Sequence, residues 1–190
     1  MKLLIGSDIH GDLDGAKRLI SAFEEEKCDK LVLLGDILYH GPRNDLPAAY
    51  APKEVIELLN PLAKEILAVR GNCDSEVDQM VLQFPILADY CLLTAGDRLI
   101  YATHGHNYNR EKLPPLQPGD ILLHGHTHMG RCQVDKGRVT QRLLQHGHSA
   151  HLLVVGKVDV NGSCVLVVFG VDPLCKLRHR VVRAAANYRL

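Results

Sequence analysis

The chain has 190 residues, 46% of them hydrophobic, and carries 22 basic and 22 acidic side chains. That supports one buried core and favours a single domain, and a net charge of zero gives no general pull toward nucleic acid or an acidic membrane surface. The opening MKLLIGSDIH is interrupted too early for a signal peptide, and no apolar run approaches the roughly 18 residues of a membrane span. The six cysteines are scattered without a CxxC pair, so reduced thiols and a cytoplasmic location are expected.

Leu3 to Ile5 is a short apolar run that predicts a buried strand feeding the loop Gly6-Ser7-Asp8-Ile9-His10. From Asp14, apolar Ala16, Leu19, Ile20 and Phe23 recur at helical spacing opposite Glu24, Glu25 and Glu26. Leu31 to Leu34 predicts a second strand, closed by Gly35-Asp36, and residues 39–52 read as a loop. Pro52 suits the first turn of a helix reaching about Asn60. Ile66 to Val69 is a third strand, ending in Arg70-Gly71-Asn72, and a short helix after Asp74, with Asp74 as its cap, is expected to stop before Pro85. Further strands are expected near 86–93, 97–103 and 121–124. The early alternation of strand and helix argues for a partly parallel sheet in an α/β fold, and the strand-rich later part for a second sheet packed on it.

The last fifty residues differ in character. They hold seven basic and two acidic side chains, against fifteen and twenty before them, and no Glu follows Glu111. Apolar runs at Leu152 to Val155 and Val165 to Phe169 still carry strand signal, which could fill the edge of the second sheet. The composition predicts less protection from exchange across 141–190 than in the core.

Five short segments each follow an apolar run: Asp8-Ile9-His10, Gly35-Asp36, Gly71-Asn72-Cys73-Asp74, His104-Gly105-His106 and Gly125-His126-Thr127-His128. Functional groups of α/β sheets gather at the carboxyl ends of strands, so the five can meet on one rim. Carboxylates and imidazoles without thiolate clusters suit divalent ions such as Mn²⁺, Fe²⁺ or Zn²⁺. In extended backbone, residues i and i+2 share a side, which pairs Asp8 with His10 and His126 with His128. A single DxH or GD carries little, because Asp after a strand is common; five segments in this order are far more specific.

The order D-x-H, GD, GN-x-D, H-G-H, G-H-T-H resembles the calcineurin-like metallophosphoesterase superfamily. His40-Gly41-Pro42-Arg43-Asn44, Tyr50-Ala51-Pro52 and Val69-Arg70-Gly71-Asn72-Cys73-Asp74-Ser75-Glu76-Val77-Asp78 are similar, more specifically, to the YfcE-type bacterial phosphodiesterases. The resemblance covers about residues 1–135. It implies a four-layer α/β/β/α sandwich and two divalent cations, Mn²⁺ first, with Ni²⁺, Fe²⁺ or Zn²⁺ as alternatives. One cation would be held by Asp8, His10, Asp36 and His128, the other by Asp36, Asn72, His104 and His126, with Asp36 shared. Two cations about 3.5–4 Å apart can share a hydroxide and clamp phosphate oxygens, so hydrolysis of a small-molecule phosphodiester is expected. Nothing indicates a membrane or nucleic-acid partner, and self-association is left open.

Cys73, Asp74, His106 and Arg43 are the candidate catalytic residues. Many members of the superfamily have histidine where Cys73 stands, beside the leaving group; YfcE-type members share the cysteine, which argues for diesters. Asp74 is a candidate acceptor for a ligand histidine, and Arg43, before Arg70, for contact with phosphate oxygens. The tail departs from the family: no Asn-Pro-Gly-Ser follows GHTH, and Gln145 to His151 stands instead. A divergent or out-of-frame tail explains its histidines better than a third metal site. The alternative function is a catalytically weak protein-binding scaffold on the same fold, but such scaffolds usually have broken ligand sets, and all seven positions are filled here.

Overall fold

The first two apolar runs become neighbouring parallel strands buried on both faces. A computed structural model describes residues 2–95, 98–127, 131–135, 138–142, 152–158, 164–170 and 180–183. His128 and the segment from Gln145 to His151 lie outside them. Strand β1 (Lys2–Gly6) pairs in parallel with β2 (Lys30–Leu33), and β2 with β3 (Ile66–Ala68). Between them run helix α1 (Leu13–Glu25) and helix α2 (Pro52–Leu59), the latter followed by a 3-10 turn at Asn60–Leu62. Helix α3 (Glu76–Val81) follows β3.

Alternation along the strands builds two cores. Leu4, Leu31 and Leu33 face the helices and meet Ala16, Leu19, Phe23, Val55 and Leu59. Leu3, Ile5, Val32 and Leu34 face the other way, against Ile100, Ala102, Ile121 and Leu123 of a second sheet. Strands covered on both faces read as unbroken apolar runs, which is why β1 and β2 show no alternation in sequence.

The second sheet is built from β4 (Tyr90–Ala95), β5 (Arg98–Thr103), β6 (Ile121–His124), β7 (Arg131–Asp135) and β8 (Arg138–Arg142), in the order β4-β5-β6-β8-β7. On its outer face Tyr101 and Leu122 are covered by Leu116 and Tyr108, from the segment between β5 and β6. That segment holds no helix among the described residues.

Two local expectations are corrected. Asp74 does not cap α3. Ser75 does: its hydroxyl accepts from Asp78 N–H while the Asp78 carboxylate accepts from Ser75 N–H at 2.8 Å, a reciprocal capping box. The tail strands also go elsewhere than the second sheet. Strands β9 (Leu152–Val158), β10 (Cys164–Gly170) and β11 (Arg180–Arg183) extend the first sheet, in the order β11-β10-β9-β1-β2-β3. Strand β9 lies antiparallel to β1, with Leu3 opposite Gly156 and Ile5 opposite Val154.

That pairing makes β9 an interior strand, the opposite of what its surrounding composition predicts. In hydrogen exchange read by mass spectrometry, amides of 152–158 should be as slow as those of 31–34. Exchange as fast as that of a peptide throughout 152–158 would remove β9 from the sheet.

Candidate active site

All five motif segments, the fifth as far as Thr127, sit just past strand ends on one rim. The β1–β2 ladder continues beyond both strands: Asp8 N–H donates to Gly35 C=O at 3.0 Å, His10 N–H to Asp36 C=O and Gly11 N–H to Ile37 C=O, both at 2.9 Å. Gly125 N–H donates to His104 C=O at 2.7 Å across the matching ends of β5 and β6. Side chains then join the two sheets. Asp8 Oδ2 accepts from Ser7 Oγ at 2.6 Å and from His126 N–H at 3.1 Å, and His104 Nδ1 lies 2.7 Å from Leu34 C=O.

Four of the candidate ligands have left-handed backbone: Asp8 (φ 57°), His10 (φ 51°), Asp36 (φ 56°) and His126 (φ 70°). For non-glycine residues this conformation costs about 1–3 kcal/mol each and survives where surrounding contacts fix it, typically at functional sites. The extended i, i+2 argument therefore does not hold for Asp8 and His10. Their side chains do converge, with His10 Nε2 lying 3.8 Å from Asp8 Oδ1, but through two tight turns.

Asp36 is the centre of the cluster and is 2% exposed. Its Oδ1 accepts Cys73 N–H at 2.7 Å, while its Oδ2 lies 3.6 Å from His10 Nε2 and 3.4 Å from His104 Nε2. His104 Nε2 is also 3.0 Å from Asn72 Oδ1 and 3.2 Å from His126 Nδ1. Burial alone would raise the Asp36 carboxyl; hydrogen bonding and charge from His104, the Cys73 amide and the charge of His10 outweigh it and hold it near 2. For His104, burial would lower the value, yet the Asp36 hydrogen bond and the charges of Asp8 and Asp36 lift it to about 9.

These donors fit divalent cations. Among the described residues, two sets have donor atoms within 4.8 Å of one another, Asp8/Asp36/His104 and His10/Asp36/Cys73, and Asp36 belongs to both. Ligand bonds of about 2.0–2.2 Å bring neighbouring donors to roughly 3–3.5 Å, the spacing seen around Asp36 Oδ2. Two buried carboxylates side by side are costly unless cations offset them. The imidazoles are already oriented: Nδ1–H of each donates to a main-chain carbonyl, Tyr39 for His10 at 2.8 Å and Leu34 for His104, which aims each Nε2 at the cluster.

Asp74 has a different task from the one expected of it. Among the described residues, no histidine donates to it. Its Oδ2 accepts Asp36 N–H at 2.8 Å and Gly71 N–H at 2.7 Å, and its Oδ1 accepts Ile37 N–H at 2.9 Å. It thereby clamps the loop after β2 to the loop after β3. The clamp needs glycine on both sides: a Cβ on Gly71 would fall on the Asp36 carboxylate, and one on Gly35 (φ 92°) on the Gly71 backbone.

The remaining candidates lie around the rim. The Cys73 thiol, 3.2 Å from Asn72 Nδ2, is pushed up to about 12, first by burial and then by the charges of Asp36, Asp74 and Asp8. The His106 ring lies 5.4 Å from that of His104; burial, then the charges of His104 and His126, lowers its pKa, and its Nδ1 is buried with no hydrogen bond among the described residues. Arg43 is exposed, and its charge acts on His126. Arg70 is engaged instead, donating to Asp74 C=O at 3.3 Å and lying 3.6 Å from Glu76. The Tyr39 and Leu34 carbonyls and the backbone-clamping use of Asp74 were not legible in the sequence, because each joins positions tens of residues apart.

Residues 1–167 match the calcineurin-like phosphoesterase superfamily domain. Phosphodiesterase YfcE of Escherichia coli strain K12 is 50% identical over 129 residues, which cover 68% of this chain and 70% of that protein. The solved structure of YfcE, a phosphoesterase from E. coli, superposes with a TM-score of 0.81 at 38% identity, covering 96% of this chain and 100% of the other. Vps29 of Entamoeba histolytica, solved in complex with zinc, shares the fold at a TM-score of 0.65 and 18% identity, over 95% and 99% of the two chains. The chain belongs to the calcineurin-like phosphoesterase superfamily.

Replacing Asp74 tests the clamp independently of any metal. Asp74→Ala strands three buried N–H groups at about 1–3 kcal/mol each, so metal-free protein should lose about 3 kcal/mol or more in urea unfolding. Asp74→Asn, which keeps one acceptor oxygen, should lose less. A loss below about 1 kcal/mol for Asp74→Ala would show that the loops hold without it.

Proposed function

We propose that this member of the superfamily is a metal-dependent phosphodiesterase, one domain over residues 1–190, acting on a small phosphodiester in the cytoplasm. The observation that carries the reading is Asp36 Oδ2 set between His10 Nε2 and His104 Nε2, with Oδ1 turned away onto the Cys73 amide. One cation would take Asp8, His10 and Asp36, together with His128 from outside the described residues. The other would take Asp36, Asn72, His104 and His126. Oxygen and imidazole donors suit Mn²⁺, with Fe²⁺, Zn²⁺ or Ni²⁺ also accommodated. When bound, two such cations supply an acidified water and charge stabilisation for an in-line displacement at phosphorus.

The chain's own groups divide the remaining work. Asp36 is ionised at any ordinary pH, whereas His104, at about 9, must release a proton as a cation enters. A neutral amide, Asn72, in place of a third carboxylate keeps the site positive enough for a phosphate anion. Arg43, whose charge reaches His126, would meet phosphate oxygens. His106, kept neutral beside two other imidazoles, can exchange hydrogen bonds with the ester. Cys73, with its thiol pushed up to about 12, is a far weaker acid than an imidazolium and gives a leaving group correspondingly less help. This favours esters that leave without help and disfavours alkyl monoesters. The filled ligand positions weigh against the scaffold alternative.

Metal analysis paired with hydrolysis of bis-p-nitrophenyl phosphate, with and without Mn²⁺, tests the reading. Asp36→Asn should lose both ions and about 10³-fold or more of the turnover, since the shared ligand serves both cations. A variant with two ions per chain and near-normal rate would refute the shared role.

The Cys73→His variant tests the acid. Positioned general acids are worth about 10²–10⁴-fold, but both Asp74 oxygens are committed to backbone amides and cannot orient a new imidazole. The ratio of monoester to diester kcat/KM should therefore rise only about tenfold. An unchanged ratio at matched metal content would make Cys73 a packing residue.

A further inference from the structure

The rim of the site continues into a cleft that the reaction at the cations leaves unexplained. It has a volume of about 560 Å³ and is largely apolar, lined by Leu38, Pro52 and Ile56 and by Val77 and Val81 of α3. Tyr39 and Tyr50 line it as well, and the His40 ring stands edge-on between them, with ring centroids 4.9 and 5.4 Å away. Its charged lining residues are one lysine, Lys53, and one aspartate, Asp78, so it offers no net charge to an anion.

Two residues join this cleft to the candidate metal cluster. Cys73 lines the cleft while its N–H donates to Asp36 Oδ1 at 2.7 Å. Tyr39 lines it while its C=O holds His10 Nδ1 at 2.8 Å. A phosphate seated on the cations therefore has the mouth of an apolar cleft beside it. Val77, 69% exposed, and Val81, 44% exposed, leave unusual apolar surface at that mouth. Apolar side chains held open next to a cluster of charged donors gain nothing from water and can be covered by an apolar ligand.

We propose that this cleft binds one organic arm of the phosphodiester, an aromatic or apolar ester group, and so selects substrates by that arm. The proposal rests on the phosphodiesterase reading for the seat of the phosphate. The cations hold the phosphoryl oxygens, which are common to every substrate. The wall of α3 and the Tyr39–His40–Tyr50 array contact the part that differs.

Phosphonates carry one arm on an uncleavable carbon–phosphorus bond, so they report the cleft without turnover. Phenylphosphonate and methylphosphonate should be compared as competitive inhibitors of bis-p-nitrophenyl phosphate hydrolysis by the Mn²⁺-loaded full chain. Burial of the ring should make phenylphosphonate about tenfold tighter in the wild type. In the double variant Val77→Gln, Val81→Gln, both at exposed positions, that advantage should shrink to about threefold or less, with the methylphosphonate constant unchanged. Equal inhibition by the two phosphonates in the wild type, or a ratio unmoved in the variant, overturns the proposal and leaves the cleft to another occupant, such as a peptide segment. If the loaded chain turns over no diester, the phosphodiesterase reading is what fails. Calorimetric titration of the same two phosphonates then decides the cleft: a ratio near one rejects it, and a tenfold ratio lost in the variant upholds it.

Discussion

A buried carboxylate has to be answered by its surroundings, and at Asp36 the answer organises the rim of both sheets. One oxygen takes an amide from the loop after β3, and the other draws imidazoles from the loop after β1 and from the end of β5. Asp74 fixes the main chain of the loops after β2 and β3 through three amides. The two aspartates work as a pair. One gathers the imidazoles into a buried cluster, and the other holds the backbone that lets it do so. Loops longer by one Cβ at Gly35 or Gly71 could not close on each other.

The site is also where the backbone is least relaxed. Asp8, His10, Asp36 and His126 all take positive φ, and the contacts holding them there are those that aim their donor atoms inward. Strained geometry of this kind exchanges folding stability for a preset arrangement of ligands, so metal entry needs little rearrangement. The compensating burial lies below, where β1 and β2 are sealed on both faces by the helices and by the second sheet.

Much of this was legible in the sequence because its signals are local. Apolar runs at 3–5, 31–34 and 121–124 mark strands, and polar residues directly after such runs must lie at strand ends. Helix spacing at Ala16, Leu19 and Phe23 set α1, and Pro52 opened α2. What escaped depends on partners distant in the chain. Asp74 preceded a helix and looked like its cap, but two amides from the loop after β2 and one from its own loop claimed it, and the capping box one residue later was available to replace it. The turn geometry at Asp8 and His10 is set by hydrogen bonds to the loop after β2, which no spacing rule contains. The sheet joined by the tail strands depends on which edge is open, and apolar runs do not encode that. The cleft beside Cys73 takes its walls from three separate segments, so it has no linear signature at all.

The pairing of β1 with β9 imposes an order on synthesis. Strand β1 leaves the ribosome well before its second neighbour, which is made about 150 residues later. At about 5–20 residues per second, one edge of β1 waits on the order of 10 s for its partner. During that interval β1, β2, β3 and the helices can associate, but the growing sheet keeps an open apolar edge at the strand that carries Asp8 and His10. The nascent chain is thus most exposed to wrong strand pairing beside its own chemistry, and a chaperone that shields that edge until β9 arrives would protect the site as well as the fold.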